Sequence, residues 1–355
     1  MMKILVIQQK MIGDVLISSI LCDNLRMAYP DARIDYMVYE STIAVLQGNK
    51  SISNLILFKE KHRKSKWEFL KLLFEIRKNK YDVVIDAYSK IESFLPVLFS
   101  GAKQKISFSK KWQKLLFTDV VEKIQIPKTN LGLIIEQRLS LLDPLHLKIN
   151  LEPFPKLYVT KEEVEFAKNL FKKHHIDTAK KTIMVSIIGS SPSKTYPAEY
   201  MAEVIDTIAD NYEVNMLFNY IPNQIELAIT IFNLCKKGTQ KKIYFDVLGK
   251  NLRDFIAIMN ECDLIIGNDG GAINMAKALE KPSFIIFSPW IDKKGWATFE
   301  DGIKYISVHL KDFKPELFIN KSDKEIKTNY VSFYQEFKPD LFKDKTEAFL
   351  RTNLK

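Results

Sequence analysis

Three short stretches join glycine to side chains that move protons or hold phosphate, and each directly follows an apolar run. The first is Lys10-Met11-Ile12-Gly13-Asp14-Val15. Gly13 has access to backbone shapes closed to other residues, and Asp14 falls where a helix should start. A carboxylate there either caps the helix by accepting backbone N–H bonds or faces a ligand as a general base. The second stretch is Gly189-Ser190-Ser191-Pro192-Ser193-Lys194, with Pro197 suited to a first helical turn. Hydroxyls, free amides and an ammonium at one strand end make a phosphate cradle, although the Walker spacing is absent and a plain serine-rich loop is the alternative. The third is Gly267-Asn268-Asp269-Gly270-Gly271-Ala272-Ile273-Asn274. Paired glycines let a ligand approach the backbone, and the helix start behind them favours an anion. Phosphate would repel Asp269, which therefore suits sugar hydroxyls; a tight turn with an Asx cap is the competing reading.

The elements that must carry these turns alternate between short apolar strands and amphipathic helices. Strands are predicted over Lys3–Gln8, Arg33–Val38, Asn54–Phe58, Asp82–Ala87 and Lys105–Phe108, and again over Thr182–Ile188, Val214–Phe218, Ile243–Asp246, Asp263–Ile266 and Ser283–Phe287. Strands separated by helices imply α/β units with parallel sheets, in which ligands sit beyond the strands' carboxyl ends. The proline-containing Leu151-Glu152-Pro153-Phe154-Pro155 divides the series into a domain over 1–152 and a second over 153–320, followed by a helical tail, 321–355. That tail is expected to pack back on the first domain.

A chain of 355 residues, 46% of them hydrophobic, suits two cores. No apolar run is long enough to span a bilayer, and Met1–Gln8 reads as a buried strand rather than a secretory signal. Three scattered cysteines indicate a reducing cytoplasm. The five histidines lack ligand spacing, so no metal site is expected. The net charge of +10 admits nucleic acid, an anionic membrane or a phosphorylated small substrate. Nucleic acid ranks last because no recognition motif for it occurs. The densest basic stretch, Phe58 to Lys80, combines Lys61, Arg63, Lys64 and Lys66 with Trp67, Leu70, Leu73 and Phe74. It is either an amphipathic helix burying that stripe or a face for anionic lipid.

In this order and spacing, the three turns resemble glycosyltransferase family 9, the bacterial heptosyltransferases. The resemblance rests on Ile12-Gly13-Asp14-Val15-Leu16 with Tyr29-Pro30, Lys194-Thr195-Tyr196-Pro197, Leu248-Gly249-Lys250, Asp269-Gly270-Gly271 and Phe287-Ser288-Pro289. It covers about the first three hundred residues.

The resemblance implies a GT-B architecture, two Rossmann-like domains facing a central cleft, with acceptor on the first and nucleotide-sugar on the second. It implies inverting, metal-independent sugar transfer without a cofactor, from an ADP-sugar such as ADP-heptose to a lipid-linked saccharide of the lipopolysaccharide-core type. The enzyme would act as a monomer at the cytoplasmic face of the inner membrane. Asp14 corresponds to the family's base, with Lys10, Gly13, Ser89 and Lys90 on the acceptor side. Lys194 would neutralise the departing diphosphate. Gly189, Ser190, Ser191, Gly270, Gly271 and Ala272 would hold the phosphates, Gln224 the ribose and Asp269 the sugar, with Asn274 also on the donor side. Asn274 stands where the family has His, Tyr196 where Trp is common, and Tyr88-Ser89 replaces Gln-Gly in the acceptor motif. The alternatives are a UDP-sugar transferase or epimerase of the same fold, and a catalytically inactive glycan-binding member.

Overall fold

The structure, a computed structural model, describes residues 1–110 and 116–355. Contacts divide the chain into two units, Met1–Tyr158 and Val159–Lys355.

The first unit holds six strands: β1 (Lys3–Ile7), β2 (Arg33–Tyr39), β3 (Asn54–Phe58), β4 (Val83–Asp86), β5 (Gln104–Phe108) and β6 (Asp119–Val121). They form one sheet in the order β3-β2-β1-β4-β5-β6, every pairing parallel. The second unit holds β7 (Lys181–Ser186), β8 (Val214–Phe218), β9 (Ile243–Tyr244), β10 (Leu264–Asn268), β11 (Ser283–Ile286) and β12 (Tyr305–Val308). Its sheet, also wholly parallel, runs β12-β11-β10-β7-β8-β9. Counted from each unit's own first strand, both sheets have the doubly wound order 3-2-1-4-5-6. Helices cover both faces of such a sheet, so its central strands read as unbroken apolar runs; Ile4, Leu5, Val6 and Ile7 are all fully buried.

In this order the winding reverses between the first and fourth strands, opening a crevice at their carboxyl ends. Ile7 of β1 lies opposite Asp86 of β4, and Ser186 of β7 opposite Gly267 of β10. The crevices therefore open at the turns picked out from sequence. Gly267 has φ +131°, and a Cβ there would come within 2.4 Å of the Ser186 carbonyl oxygen. Only glycine lets these two strands approach so closely.

Four expectations need correction. The tail does not supply the first unit's core: Phe333, Tyr334, Phe337, Phe342, Phe349 and Leu350 are buried in the core of the second. Its aromatic density completes that core, which already presents Tyr196, Ile205 and Phe284. The apolar stripe of the basic stretch is split. Leu73 is buried with Leu72 and Ile76, whereas Trp67 and Phe74 are 76% and 53% exposed. Gly13 is an ordinary second residue of the helix Ile12–Ala28, and the left-handed backbone at this turn belongs to Met11, φ 64°. Finally, β6 and β12 are additional edge strands, of three and four residues.

Candidate active site

At the first switch point, Asp14 lies in the opening turn of the helix Ile12–Ala28, whose N-cap residue, Met11, makes no side-chain capping bond. Its carboxylate is half-buried and Oδ1 stands 3.9 Å from Nη2 of Arg138. Arg138 comes from the helix Leu133–Ser140 and is buried, its Nε donating to Ser18 Oγ at 2.7 Å and its Nη2 reaching Gln8 Oε1 at 3.4 Å. Burial lowers the pKa of this guanidinium, and the nearby Asp14 carboxylate opposes the shift. A buried charge is tolerable only when paired, so Arg138 and Asp14 each fix the other's place.

Beside them, Asp86 ends β4 completely buried. It accepts from the amides of Tyr88 (3.1 Å) and Ser89 (2.9 Å) and from Ser93 Oγ (2.7 Å). Burial nevertheless raises its pKa to about 6. Asp86 thus serves as a scaffold that shapes the loop carrying Ser89, whose φ is +50°. Ser89 is itself buried, its hydroxyl 2.7 Å from that of Ser107. Lys10 is tied to Glu92 at 3.0 Å, while Lys90 stays exposed at the start of the helix Ile91–Ser100.

Two lysines that the sequence reading passed over join this group. Lys110 donates to the Ser89 carbonyl, and Lys123 stands 5.1 Å from the centre of the Phe108 ring, which Arg138 also approaches at 5.9 Å. Burial lowers the pKa of both lysines; repulsion from Lys90 adds to this for Lys110, and from Arg138, Lys110 and Lys90 for Lys123. Cations that depress one another's protonation make a surface suited to an anion.

At the second switch point, the loop after β7 turns back on itself. A Cβ on Gly189 would lie 2.2 Å from the Lys194 carbonyl oxygen, so the loop closes only with glycine there. Gln224 does not point free: its Nε2 donates to the Gly189 carbonyl at 3.2 Å and its Oε1 accepts from the Ile221 amide at 3.1 Å. Ser190 is exposed, and the Ser191 hydroxyl sits 3.3 Å from that of Ser193. The Ser193 carbonyl accepts from Ser288 Oγ (2.6 Å), Trp290 Nε1 (2.9 Å) and Tyr334 Oη (3.4 Å). Three donors on one oxygen fix the residue that precedes Lys194.

Across the crevice, Asn268 ties the two turns together, accepting from the Tyr196 amide at 2.7 Å and donating to the Ser186 carbonyl at 2.9 Å. Asp269 follows. Burial raises its pKa, opposed by the ammonium groups of Lys194 and Lys277 and by the Gly270 amide. Next, the helix Gly271–Ala278 begins without a side-chain cap. A Cβ on Gly270 or Gly271 would meet nothing within 4 Å. These glycines leave open space in front of unpaired amides, with Ala272 and half-buried Asn274 in the same first turn. Behind them, buried Lys277 donates to the Thr298 carbonyl at 2.6 Å, and burial lowers its pKa to about 8. Among the described residues, no three His, Cys, Asp or Glu side chains gather as a metal site.

One switch point thus presents a carboxylate and the other an ammonium beside an open helix start. The model of glycosyltransferase family 9 (heptosyltransferase) matches residues 69–320. The chain belongs to this family and is a glycosyltransferase. It is 26% identical over 294 residues to lipopolysaccharide heptosyltransferase 1 of Campylobacter coli, covering 81% of this chain and 84% of that one. Among solved structures it is similar to a family 9 glycosyltransferase from Veillonella parvula, with TM-score 0.74 and 19% identity over 94% of this chain and 98% of that one. It is also similar to the ADP-heptose lipopolysaccharide heptosyltransferase II of E. coli, with TM-score 0.69 and 19% identity over 95% of this chain and 99% of that one. The fold is GT-B, two Rossmann-like α/β units in series.

Proposed function

We propose that this glycosyltransferase transfers a heptose from ADP-heptose, with inversion, to a hydroxyl of a lipopolysaccharide-core-type acceptor, and that it needs no metal or other cofactor. The observation carrying this reading is the division of labour between the two switch points: Asp14 against Arg138 in one unit, Lys194 with Asp269 and open Gly270–Gly271 in the other. The acceptor hydroxyl gives its proton to Asp14 as its oxygen bonds to the anomeric carbon. The bond from that carbon to the diphosphate breaks, and its electron pair leaves with ADP. A single displacement inverts the centre. Arg138, 3.9 Å away, keeps Asp14 in place where a base must stand. Lys194 and the amides from Gly271 onward neutralise the leaving diphosphate, and Asp269 orients sugar hydroxyls. On the acceptor side, the cations Lys90, Lys110 and Lys123 favour a saccharide carrying carboxylate or phosphate, with Lys10, Gly13 and Ser89 lining the same turn pair.

The same reading brings a lipid-linked acceptor to the protein at the cytoplasmic face of an anionic membrane. No described helix is long and apolar enough to cross a membrane, so contact would be peripheral. Residues 59–80 carry nine Lys and Arg against three Glu. Exposed Trp67 and Phe74 lie there, and Phe74 meets Phe99 of the next helix, ring centres 6.2 Å apart. That helix exposes Ile91 (80%), Leu95 and Leu98. An apolar face ringed by lysine fits an anionic bilayer. Flotation with phosphatidylglycerol vesicles should carry the protein, phosphatidylcholine vesicles should not, and Trp67→Ser with Ile91→Ser should abolish it. Equal binding to both lipids would remove the electrostatic part of this contact.

The test of the activity is calorimetric titration with ADP, UDP and their sugars, followed by transfer assays with Asp14→Asn. ADP binding and loss of turnover in the variant are expected. A preference for UDP would reassign the donor, and full turnover without Asp14 would remove it as base.

A further inference from the structure

Resting on the assignment of the second unit to a nucleoside diphosphate donor, we propose that Lys327 is a second phosphate-contacting cation, presented beside Lys194 by the ring of Trp290. Lys194 Nζ stands 5.5 Å from the centre of the Trp290 ring, and Lys327 Nζ stands 4.3 Å from the same centre. The two ammonium groups are therefore no further apart than these two distances combined. Trp290 is held in register with the loop because its Nε1 donates to the carbonyl of Ser193, the residue before Lys194. Lys327 reaches the ring from the helix Asp323–Thr328, whose Ile326 is anchored in the core of the second unit.

Among the described residues, neither ammonium forms an ion pair, although seventeen other pairs are formed. Two like charges drawn to one indole are only weakly held there, because the attraction of an exposed ring for a cation is modest. They repel one another, and an anion seated between them would relieve that repulsion. Asp269 is no substitute: half-buried, it is near enough to be influenced by the Lys194 charge but forms no ion pair with it among the described residues. One ammonium can serve one phosphate group. Two, on a shared platform next to an open helix start, match the paired phosphates of a diphosphate, so Lys327 would help the site tell a diphosphate from a monophosphate.

The experiment is calorimetric titration of the full chain with ADP and with AMP, for the wild-type protein, Lys327→Gln and Lys327→Arg. Lys327 is exposed, so neither change disturbs the core. Wild type should prefer ADP. Lys327→Gln should weaken ADP about fivefold while leaving AMP nearly unchanged, and Lys327→Arg should restore most of the loss, since arginine keeps both the charge and the ring contact. Unchanged ADP affinity in Lys327→Gln, or equal losses for ADP and AMP, would overturn the proposal while leaving the donor assignment intact. A wild-type protein that binds neither nucleotide would remove the donor assignment and Lys327's role with it.

Discussion

The two switch points are built on the same strand order yet furnished with opposite chemistry. At the first, an aromatic ring, Phe108, carries Lys123 and Arg138, and a carboxylate stands within reach of the arginine. At the second, Trp290 carries Lys194 and Lys327, and neither finds a carboxylate partner among the described residues. The first site holds its carboxylate by pairing it. The second keeps its cations unpaired, beside glycines whose missing side chains leave the helix start open. A doubly wound sheet thus supplies only the place, and the turn residues decide which charges that place presents.

The sharpest way to break this comparison is to exchange the charges. Asp14→Asn should lower kcat by about 10²–10⁴-fold while ADP affinity holds. Lys194→Met should lower kcat by about 10²–10³-fold and weaken ADP as well. Kinetics and titration on the same preparations check both, and parallel losses in the two variants would erase the division of labour.

The glycines offer the next contrast. Gly271→Ala should leave thermal stability unchanged, because its methyl meets nothing within 4 Å, yet weaken the donor about tenfold or more by occupying the ligand's space. Gly189→Ala should instead cost about 1–3 kcal/mol of stability, because its methyl would press on the Lys194 carbonyl. Paired melting curves and ADP titrations separate the two.

Stability against pH sharpens the account of the first site. The folded Asp86 carboxyl keeps its proton up to about pH 6, against an ordinary 3.8. The folded state therefore binds more protons within that window. The stability it gains is complete below about pH 4 and is lost as pH rises through 6, about 3 kcal/mol in all. Urea titrations across this range should show the decline in the wild type and a flatter profile in Asp86→Asn. The smallest effect belongs to Gln224→Ala, which removes one brace from the Gly189 carbonyl and should raise the donor KM about two- to fivefold.

Much of this was legible in the chain itself, for a physical reason. Buried parallel strands must be apolar runs, and a glycine beside a charged residue at a strand's end is costly unless backbone or ligand geometry requires it. The turns at Asp14, Lys194 and Gly270 therefore stood out, as did ten of the twelve strands. Arg138 was less visible. Its one signal is a lone guanidinium inside the mostly apolar Leu131–Leu142, and which carboxylate it meets depends on packing between segments far apart in sequence. Trp290, Tyr334 and Lys327 were missed for the same reason: Tyr334 reaches Ser193 across 141 positions. Gly13 is the residue of this turn with the widest backbone freedom, whereas the chain places the left-handed conformation on Met11. The tail's partner could not be read from its own pattern, since an apolar helical face does not name the surface it covers.

Tyr196 gives the tail a further meaning. It is fully buried, its hydroxyl donates to the Phe337 carbonyl at 2.5 Å, and its ring meets those of Tyr334, Phe337 and Phe342. The loop bearing Lys194 is consequently clamped by residues translated about 140 positions later. A chain lacking residues 333–350 would keep Gly189, Lys194 and Gly270–Gly271 and still lack the vice that holds their loop, so the motifs by themselves do not make the site.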